Sequence, residues 1–495
     1  MELDEKTCEQ ARLTHDARFD GRFFIGVTST GIYCRCICPT PSAKRQNVRY
    51  YPTAAAAAEA GFRPCLRCRP ETAPGTPAWN GTSATVSRGL RLISEGALDE
   101  DSVEDLSARL GVSPRHLHRL FLQHLGASPI AVAQTRRLHF AKQLISDTNL
   151  PMAQVALASG FQSIRRFNAT FSKLYGRTPT ELRRLQKAAA SSTETGEYVF
   201  RLTYRPPYDW KALLAFLTAR TTPGLEAVVD GAYRRSIAFD GQQGVLEVRQ
   251  LKSANALEAH VFFPDPARLL QIVTRLRAMF DIAADPAIIA RHLRGDPLLA
   301  PHLKRHAGLR VPGAWDGFEL AVRAILGQQV TVRGATTLAG RLAQVFGEPL
   351  TCSNTLGLTH VFPQPAVLAK AKLSGLPQTR ALSIRSLAQA TLAGTMTFDN
   401  RLPGSELLAR FTSIKGIGDW TAHYVAMRAL GDPDAFPASD LVLLRMAGEA
   451  KTLTPAALLK RAEAWRPWRA YAAMVLWRAA ADAHSKHTQA SKVKR

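Results

Sequence analysis

A chain of 495 residues with 46% hydrophobic content is too long for one core, so about three or four domains are expected. The formal net charge of +24 points to a polyanionic partner, and no apolar run approaches the length that crosses a bilayer, so a membrane is excluded as partner. The opening MELDEKTCEQ lacks the apolar stretch of a secretory signal, and the cysteine usage fits a reducing compartment; a cytoplasmic, nucleoid-associated bacterial protein is expected. A merely basic enzyme is the alternative, weakened because positive charge recurs in every segment that carries a motif.

The first such segment holds Cys34 and Cys38 as C-x3-C and Cys65 and Cys68 as C-x2-C. Two close thiol pairs from distant chain points are the pattern of a tetrahedral zinc site, one Zn²⁺ per chain, and a poor pattern for disulfides. Arg35, Lys44, Arg45, Arg49, Arg63, Arg67 and Arg69 surround the cysteines, an environment suited to a phosphate backbone. Between the pairs, TAAAAAEAG after Pro52 predicts a short helix that stops at Gly61. A purely structural zinc module is the plain alternative at this stage.

The longer string TSTGIYCRCIC…RQNVRYY…AGFRPCLRCRP resembles the N-terminal domain of Ada-type response proteins. The resemblance implies that one metal-bound thiolate irreversibly takes a methyl group from a DNA methylphosphotriester. Cys34 matches the acceptor, and Cys38, Cys65 and Cys68 match the other ligands. Cys36 is an additional thiol that stands to compete for the metal. Loss of one thiolate charge on methylation lowers repulsion toward neighbouring phosphates, so affinity for DNA should rise.

After a linker, ETAPGTPAWNGTS, the pattern from about 84 to 187 is helical. In VEDLSARLGVSPRHLHRLF a helix ends at Gly111, and Ser113 with Pro114 opens a second helix carrying Arg115, His116, His118 and Arg119. MAQVALASGFQSIRRFNATF repeats the plan with Gly160, Ser163, Arg165, Arg166 and Asn168. Either unit alone is a common connector. The pair, with Ala156 through Phe171 and the closing Gly176–Pro179, resembles the AraC-type transcription-factor domain, which implies two recognition helices in successive major grooves. RNA polymerase is the further partner that an activator implies.

Beyond a second linker at about 187–197, strand-like runs appear at Tyr198–Tyr204, around Ile237 and from Val245. Helical periodicity then returns near residue 267 and persists to about 484, and HSKHTQASKVKR is expected to be a disordered basic tail. In RFTSIKGIGDWTAHYVAMRA, Gly416 and Gly418 form a glycine-rich hairpin whose N–H groups, with the start of the next helix, suit a phosphate. About twenty residues on, Asp440 begins LVLLRMAG, where it reads either as a helix cap or as a functional acid.

Residues 198–484 resemble the AlkA-type 3-methyladenine DNA glycosylases through RPPYDWKALLAFLTAR, FELAVRAILGQQVTV, IKGIGDWTAHYVAMRAL and WRPWRAYAAMVLW. The resemblance implies Asp440 as the catalytic acid and Phe216, Trp420, Tyr424 and Trp477 as cleft aromatics. It also implies Gln329 as the wedge behind a flipped nucleotide, and Gln328, Gly416, Gly418 and Thr421 as DNA contacts. Leu441 stands where family members sometimes have an aromatic. Alkylation at a ring nitrogen makes the purine cationic and its glycosidic bond weak, so one carboxylate suffices and electron-rich rings favour the base. The aromatics also read as ordinary core, as do Trp465 and Trp468. Asp419–Thr421 occupy the position where bifunctional glycosylases carry a Schiff-base lysine, so base removal without strand cleavage is expected. No Pro-Cys-His-Arg string occurs, and neither Cys8 nor Cys352 has the context of an O6-alkylguanine acceptor.

The expected fold is multidomain and mainly α with α+β parts: a zinc-binding methyl acceptor (1–78), an AraC-type double helix-turn-helix (84–187), a small α/β domain (198–282), a helix-hairpin-helix glycosylase domain (283–484) and a basic tail (485–495). The function implied is alkylation repair joined to transcriptional control on double-stranded DNA, at alkylated sites and at a promoter or operator. A regulator whose glycosylase-like half only binds DNA is the competing reading.

Overall fold

The computed structural model describes residues 4–74, 84–99, 101–185, 196–398, 404–448 and 451–493; both expected linkers fall largely outside them. The chain forms two compact units. One comprises Met1–Pro206, Ile237–Arg277 and Ile282–Ala284, the other Pro207–Ser236, Ala278–Asp281 and Asp285–Arg495.

The first unit begins with α1 (Glu5–Leu13), capped by Asp4. A small sheet follows, built from β1 (Phe24–Val27), β2 (Ile32–Cys34), β3 (Val48–Tyr51) and β4 (Arg63–Pro64) in the order β3-β1-β2-β4. Successive strand residues point to opposite faces, so Ile25 joins Cys8, Phe23, Cys36 and Val48 on one side while Phe24 joins Tyr33 and Ala57 on the other. Between β3 and β4, the polyalanine run forms α2 (Ala54–Glu59). It ends ahead of Gly61, whose φ of 89° suits the turn.

Seven helices follow: α3 (Ala84–Ser94), α4 (Val103–Leu110), α5 (Pro114–Leu125), α6 (Pro129–Asp147), α7 (Met152–Ala158), α8 (Ile164–Tyr175) and α9 (Pro179–Leu185). Ser102 and Asp105 make a reciprocal capping box on α4, and Ser113 and Ser163 cap α5 and α8 through the backbone N–H three residues on. Leu106, Leu110, Leu117, Phe121 and Leu125 close the first helical pair over Leu92. Phe161, Phe167, Phe171 and Tyr175 form an aromatic ladder in the second.

The long helix α6 joins the two pairs and also receives the cysteine-bearing segment. Tyr33 Oη lies 2.8 Å from His139 Nε2, Lys142 Nζ donates to Glu71 at 3.1 Å, and Arg69 bridges Glu71 and Asp147 at 3.2 and 2.9 Å. Thr53 also donates to Leu125 O and Glu59 accepts from Ser128 at the head of α6. Lys142 is 0% exposed. Burial opposes ionisation of Glu71, yet Lys142, Arg69 and His139 hold its carboxyl below the ordinary range.

A five-stranded antiparallel arrangement has the order β5-β9-β8-β7-β6, with β5 (Glu197–Thr203), β6 (Glu226–Val229), β7 (Ala232–Phe239), β8 (Gln242–Gln250) and β9 (Ala256–Phe262). Strands β6 and β9 were not legible in the sequence. ALEAHVF suits a helix as well as a strand, and its full pairing with β5 decides the outcome.

Helices make up most of the rest: α10 (Trp210–Thr218), α11 (Leu269–Met279), α12 (Pro286–Leu293), α13 (Ala300–Arg305), α14 (Gly317–Leu326), α15 (Val332–Phe346), α16 (Pro365–Leu368), α17 (Gln378–Leu392), α18 (Gly404–Ser413), α19 (Asp419–Arg428), α20 (Leu441–Met446), α21 (Pro455–Ala462) and α22 (Arg469–Val493). The expected disordered tail is instead a continuation of α22 to Val493. Its residues include neither Gly nor Pro, so nothing interrupts propagation from the packed first turns.

Glu71→Gln should remove the counter-charge of a buried lysine and destabilise the first unit by about 3–5 kcal/mol. Chemical unfolding measures this, and pairing it with Lys142→Met should restore most of the loss. Because the Glu71 pKa is depressed on folding, its contribution holds above its ordinary value of 4.5 and is lost as pH falls below it.

Candidate metal centre and candidate DNA-facing cleft

The parallel pairing of β2 with β4 sets Ile32 beside Arg63 and Tyr33 beside Pro64, so the next residues in register include Cys34 and Cys65. A turn closed by Cys38 N–H to Arg35 O returns Cys38 to the same place. The sulfurs of Cys34, Cys38, Cys65 and Cys68 all lie within 4.8 Å of one another, with Cys38 and Cys65 at 3.9 Å. Zinc–thiolate bonds of about 2.3 Å in a tetrahedron require sulfur–sulfur separations of about 3.8 Å, so these residues fit the ion.

Packed this closely, the thiols share protons. Hydrogen bonds with Cys34 lower Cys38 and bring Cys65 down to about 6, while sulfur–sulfur hydrogen bonds raise Cys34 and Cys68. Four thiolates together require a divalent counter-charge. Further donors stand ready: Arg35 N–H reaches Cys68 Sγ at 3.4 Å, and the Thr40 hydroxyl lies 2.9 Å from Cys38 Sγ.

Cys36 does not compete. It is 1% exposed, packs with Cys8 and Phe23, and points its thiol at Asp16 O. Two of the surrounding cations also have structural work: Arg35 is buried against Asp20, Cys68 O and Thr72, and Arg69 pairs with Glu71 and Asp147. Lys44, Arg45, Arg49, Arg63 and Arg67 are exposed. On α5, Arg115, His118 and Arg119 are exposed while His116 is half-buried with its ring 3.0 Å from Arg119; on α8, Arg165, Arg166 and Asn168 are exposed.

In the second unit, Asp440 is the N-cap of α20, accepting from Val442 N at 2.9 Å and Leu443 N at 3.0 Å. The cap reading of the sequence is therefore correct, but it is not the whole arrangement. Trp477 Nε1 donates to Asp440 Oδ1 at 3.1 Å and Trp420 Nε1 donates to Oδ2 at 2.9 Å. Three donors thus converge on Oδ1 and one on Oδ2. A carboxylate has about four lone-pair sites, two on each oxygen, so Oδ2 retains capacity for a further partner.

Trp420 and Tyr424, four apart on α19, stack at 5.1 Å and 8°; Tyr424 meets Trp477 edge-on at 6.2 Å, and Trp477 stacks over Phe216 at 6.4 Å. All four are half-buried, which separates them from Trp465 and Trp468, both core residues. The sequence reading missed two guanidiniums. Arg220 lies 3.7 Å over the Phe216 ring, and Arg428 donates to Tyr424 Oη at 2.7 Å. Burial raises the Tyr424 phenol, but Arg428, Arg220 and Arg323 outweigh it and leave it below the ordinary range.

Gly416 and Gly418 are exposed at the hairpin, and Gly418 caps α19, whose first-turn N–H groups lack helical acceptors. Two expected DNA contacts are corrected. Thr421 is 2% exposed and its hydroxyl accepts from Gln328, while the Gln328 amide is spent on Thr421 and Gly416 O. Gln329 beside it is exposed with φ of 56°. Leu441 is 64% exposed, and Val330, Val332 and Val442 are exposed as well.

Residues 7–71 match the metal-binding domain of Ada, 106–185 a helix-turn-helix domain, and 199–316 the AlkA N-terminal domain. A Mycobacterium tuberculosis protein named as a probable bifunctional transcriptional activator/DNA repair enzyme AlkA is 40% identical over 96% of this chain and 97% of its own length. DNA-3-methyladenine glycosylase 2 of Escherichia coli is 34% identical over 56% of this chain and 96% of its own. The 3-methyladenine DNA glycosylase of Archaeoglobus fulgidus shares the fold, with TM-score 0.50 and 23% identity over 56% of this chain and 96% of that one. Fold and sites define a DNA-binding regulator with a zinc-binding thiolate centre, fused to a glycosylase-type repair half. The chain belongs to the family of bifunctional transcriptional activator/DNA repair enzymes of the Ada and AlkA type.

Thiol titration tests the metal assignment. Of the seven cysteines, Cys352 alone is not buried, so the native zinc-loaded chain should react rapidly at Cys352 only. All seven should become reactive after chelation and unfolding, with one equivalent of zinc released.

Proposed function

We propose that this chain removes alkylated purines from double-stranded DNA and separately senses methylphosphotriesters to activate transcription. The arrangement of Asp440 carries the first part. Two indole N–H groups and two helix N–H groups fix its carboxylate, with Oδ2 the less occupied oxygen. An extruded purine lies against Trp420, Tyr424, Trp477 and Phe216. As its glycosidic bond breaks, Oδ2 stabilises the positive charge growing on the sugar and orients the attacking water. The bond electrons leave with the base, already cationic through alkylation, and the water proton passes to Asp440. Asp419–Thr421 offer no amine nucleophile, so the product is an intact strand with an abasic site.

At the other site, Cys34, Cys38, Cys65 and Cys68 would hold zinc, which when bound would keep their sulfurs as thiolates at neutral pH. Cys34 Sγ attacks the methyl carbon of a phosphotriester; the S–C bond forms, the C–O bond breaks, and the phosphodiester anion leaves. A triester lacks the charge by which an ordinary phosphate is repelled. Once Cys34 is a thioether the centre is less negative, and the exposed cations of α5 and α8 bind an operator more tightly. Repair and regulation thus divide along 1–78, 84–187, 198–282 and 283–484, with 485–495 as a basic extension, in a cytoplasmic protein that works at the nucleoid and recruits RNA polymerase.

Asp440→Asn should lower base release from alkylated duplex by at least about a hundredfold while abasic-site binding persists, measured by chromatography of free bases. Undiminished release would refute the assignment and favour a half that only binds DNA. No strand cleavage and no borohydride-trapped complex should accompany release. Cys34→Ala should abolish methyl acquisition from methylated DNA, read by mass spectrometry; continued transfer to another cysteine would reject Cys34 as acceptor.

A further inference from the structure

Two exposed loops of the second unit are tied together by one side chain. The connection from α14 to α15 carries Gln329, exposed and left-handed at φ 56°, a conformation that a non-glycine residue keeps only when its surroundings hold it. The hairpin between α18 and α19 carries the exposed Gly416 and Gly418. Gln328 Nε2 donates to Gly416 O at 2.9 Å and to Thr421 Oγ1 at 3.2 Å, across 88 and 93 residues of sequence.

Helix α17 grips the same two loops from its first turns. Arg380 donates to the main-chain oxygen of Gln328, and Ser383 donates to Lys415 O at 2.7 Å. A Cβ at Gly416 would lie 2.2 Å from Ser383 Oγ, and its φ of 89° is left-handed, so glycine here admits α17 to the hairpin. Glutamine suits its position because a primary amide brings two donors, matching the carbonyl and the hydroxyl it faces. Glutamate of the same length would set a carboxylate oxygen against Gly416 O.

We infer that Gln328 is a positioning residue, locking the Gln329 loop to the hairpin so that both meet DNA as one part and extrusion of the base depends on that lock. The inference rests on the reading that this half extrudes and removes a base. Pushing at a base stack from Gln329 requires the backbone to be held at the hairpin. If the two loops slide past one another, the work of insertion goes into loop motion instead of unstacking. A base that is already unpaired needs little such work. The lock therefore matters for a paired lesion and hardly at all for an unpaired one.

The test measures single-turnover release of 7-methylguanine by the full chain from two duplexes, one with the lesion paired to cytosine and one with it opposite an abasic site. Gln328→Met should slow release from the paired duplex about tenfold, the scale of losing two modest hydrogen bonds, and leave the unpaired one within about twofold. Gln328→Glu should be no faster than Gln328→Met. Equal losses in both contexts, or none in either, overturn the inference. Should Gln328→Met not fold, Arg380→Met removes the other restraint on the same loop and takes its place. A duplex with 2-aminopurine beside a non-cleavable lesion analogue separates the two claims. If the wild-type chain brightens this probe but releases no base, the catalytic reading fails and the lock is judged on the probe alone. If it does neither, both fail.

Discussion

Negative groups standing where a polyanion must approach are the constraint that organises this molecule. A carboxylate or a cluster of thiolates left in water would repel phosphate and be masked by counterions. Drawn inward without compensation, it would take up protons and lose its chemistry. The chain meets this twice with different means. Around Asp440 the compensation is all neutral donors: two indoles and the exposed end of a helix. Around Cys34 it is a dication, supported by a backbone N–H and a hydroxyl. Neutral donors fix a carboxylate without setting a counter-ion against it, which suits the acid proposed to face a growing cation. A metal keeps sulfur ionised but still nucleophilic, as an alkyl acceptor needs.

The surrounding cations divide along the same line. Arg35 and Arg69 each adjoin a cysteine in sequence, yet both are consumed by carboxylates inside the fold. Arg220 and Arg428 are likewise turned against Phe216 and Tyr424. What remains for phosphate is the exposed set on α5, α8 and the outer rim of the cysteine segment. Net charge alone thus overstates how much of the positive surface is available to DNA.

Much of this was legible in the sequence because the determinants are local. The spacing of Cys34, Cys38, Cys65 and Cys68 was enough to gather four sulfurs, and Gly111–Ser113–Pro114 was enough to end one helix and begin another. Asp440 was legible as a cap, and the geometry adds two indole donors to the same carboxylate. What escaped depends on partners far along the chain. Thr421 and Gln328 read as surface contacts, but each satisfies the other across 93 residues. Cys36 reads as a rival ligand until the turn after β2 carries its thiol away from the other sulfurs, to Asp16 O and the packing of Cys8 and Phe23. Strand β9 lies between β8 and β5, and its partner β5 is about sixty residues earlier, beyond any local window of sequence.

The ionic contacts between Glu71, Lys142, Arg69 and Asp147 bear on how such a chain is assembled over evolutionary time. A genetic exchange that parted the cysteine segment from α6 would separate buried Lys142 from Glu71 and Arg69 from Asp147. The two N-terminal pieces are therefore expected to be inherited as a block.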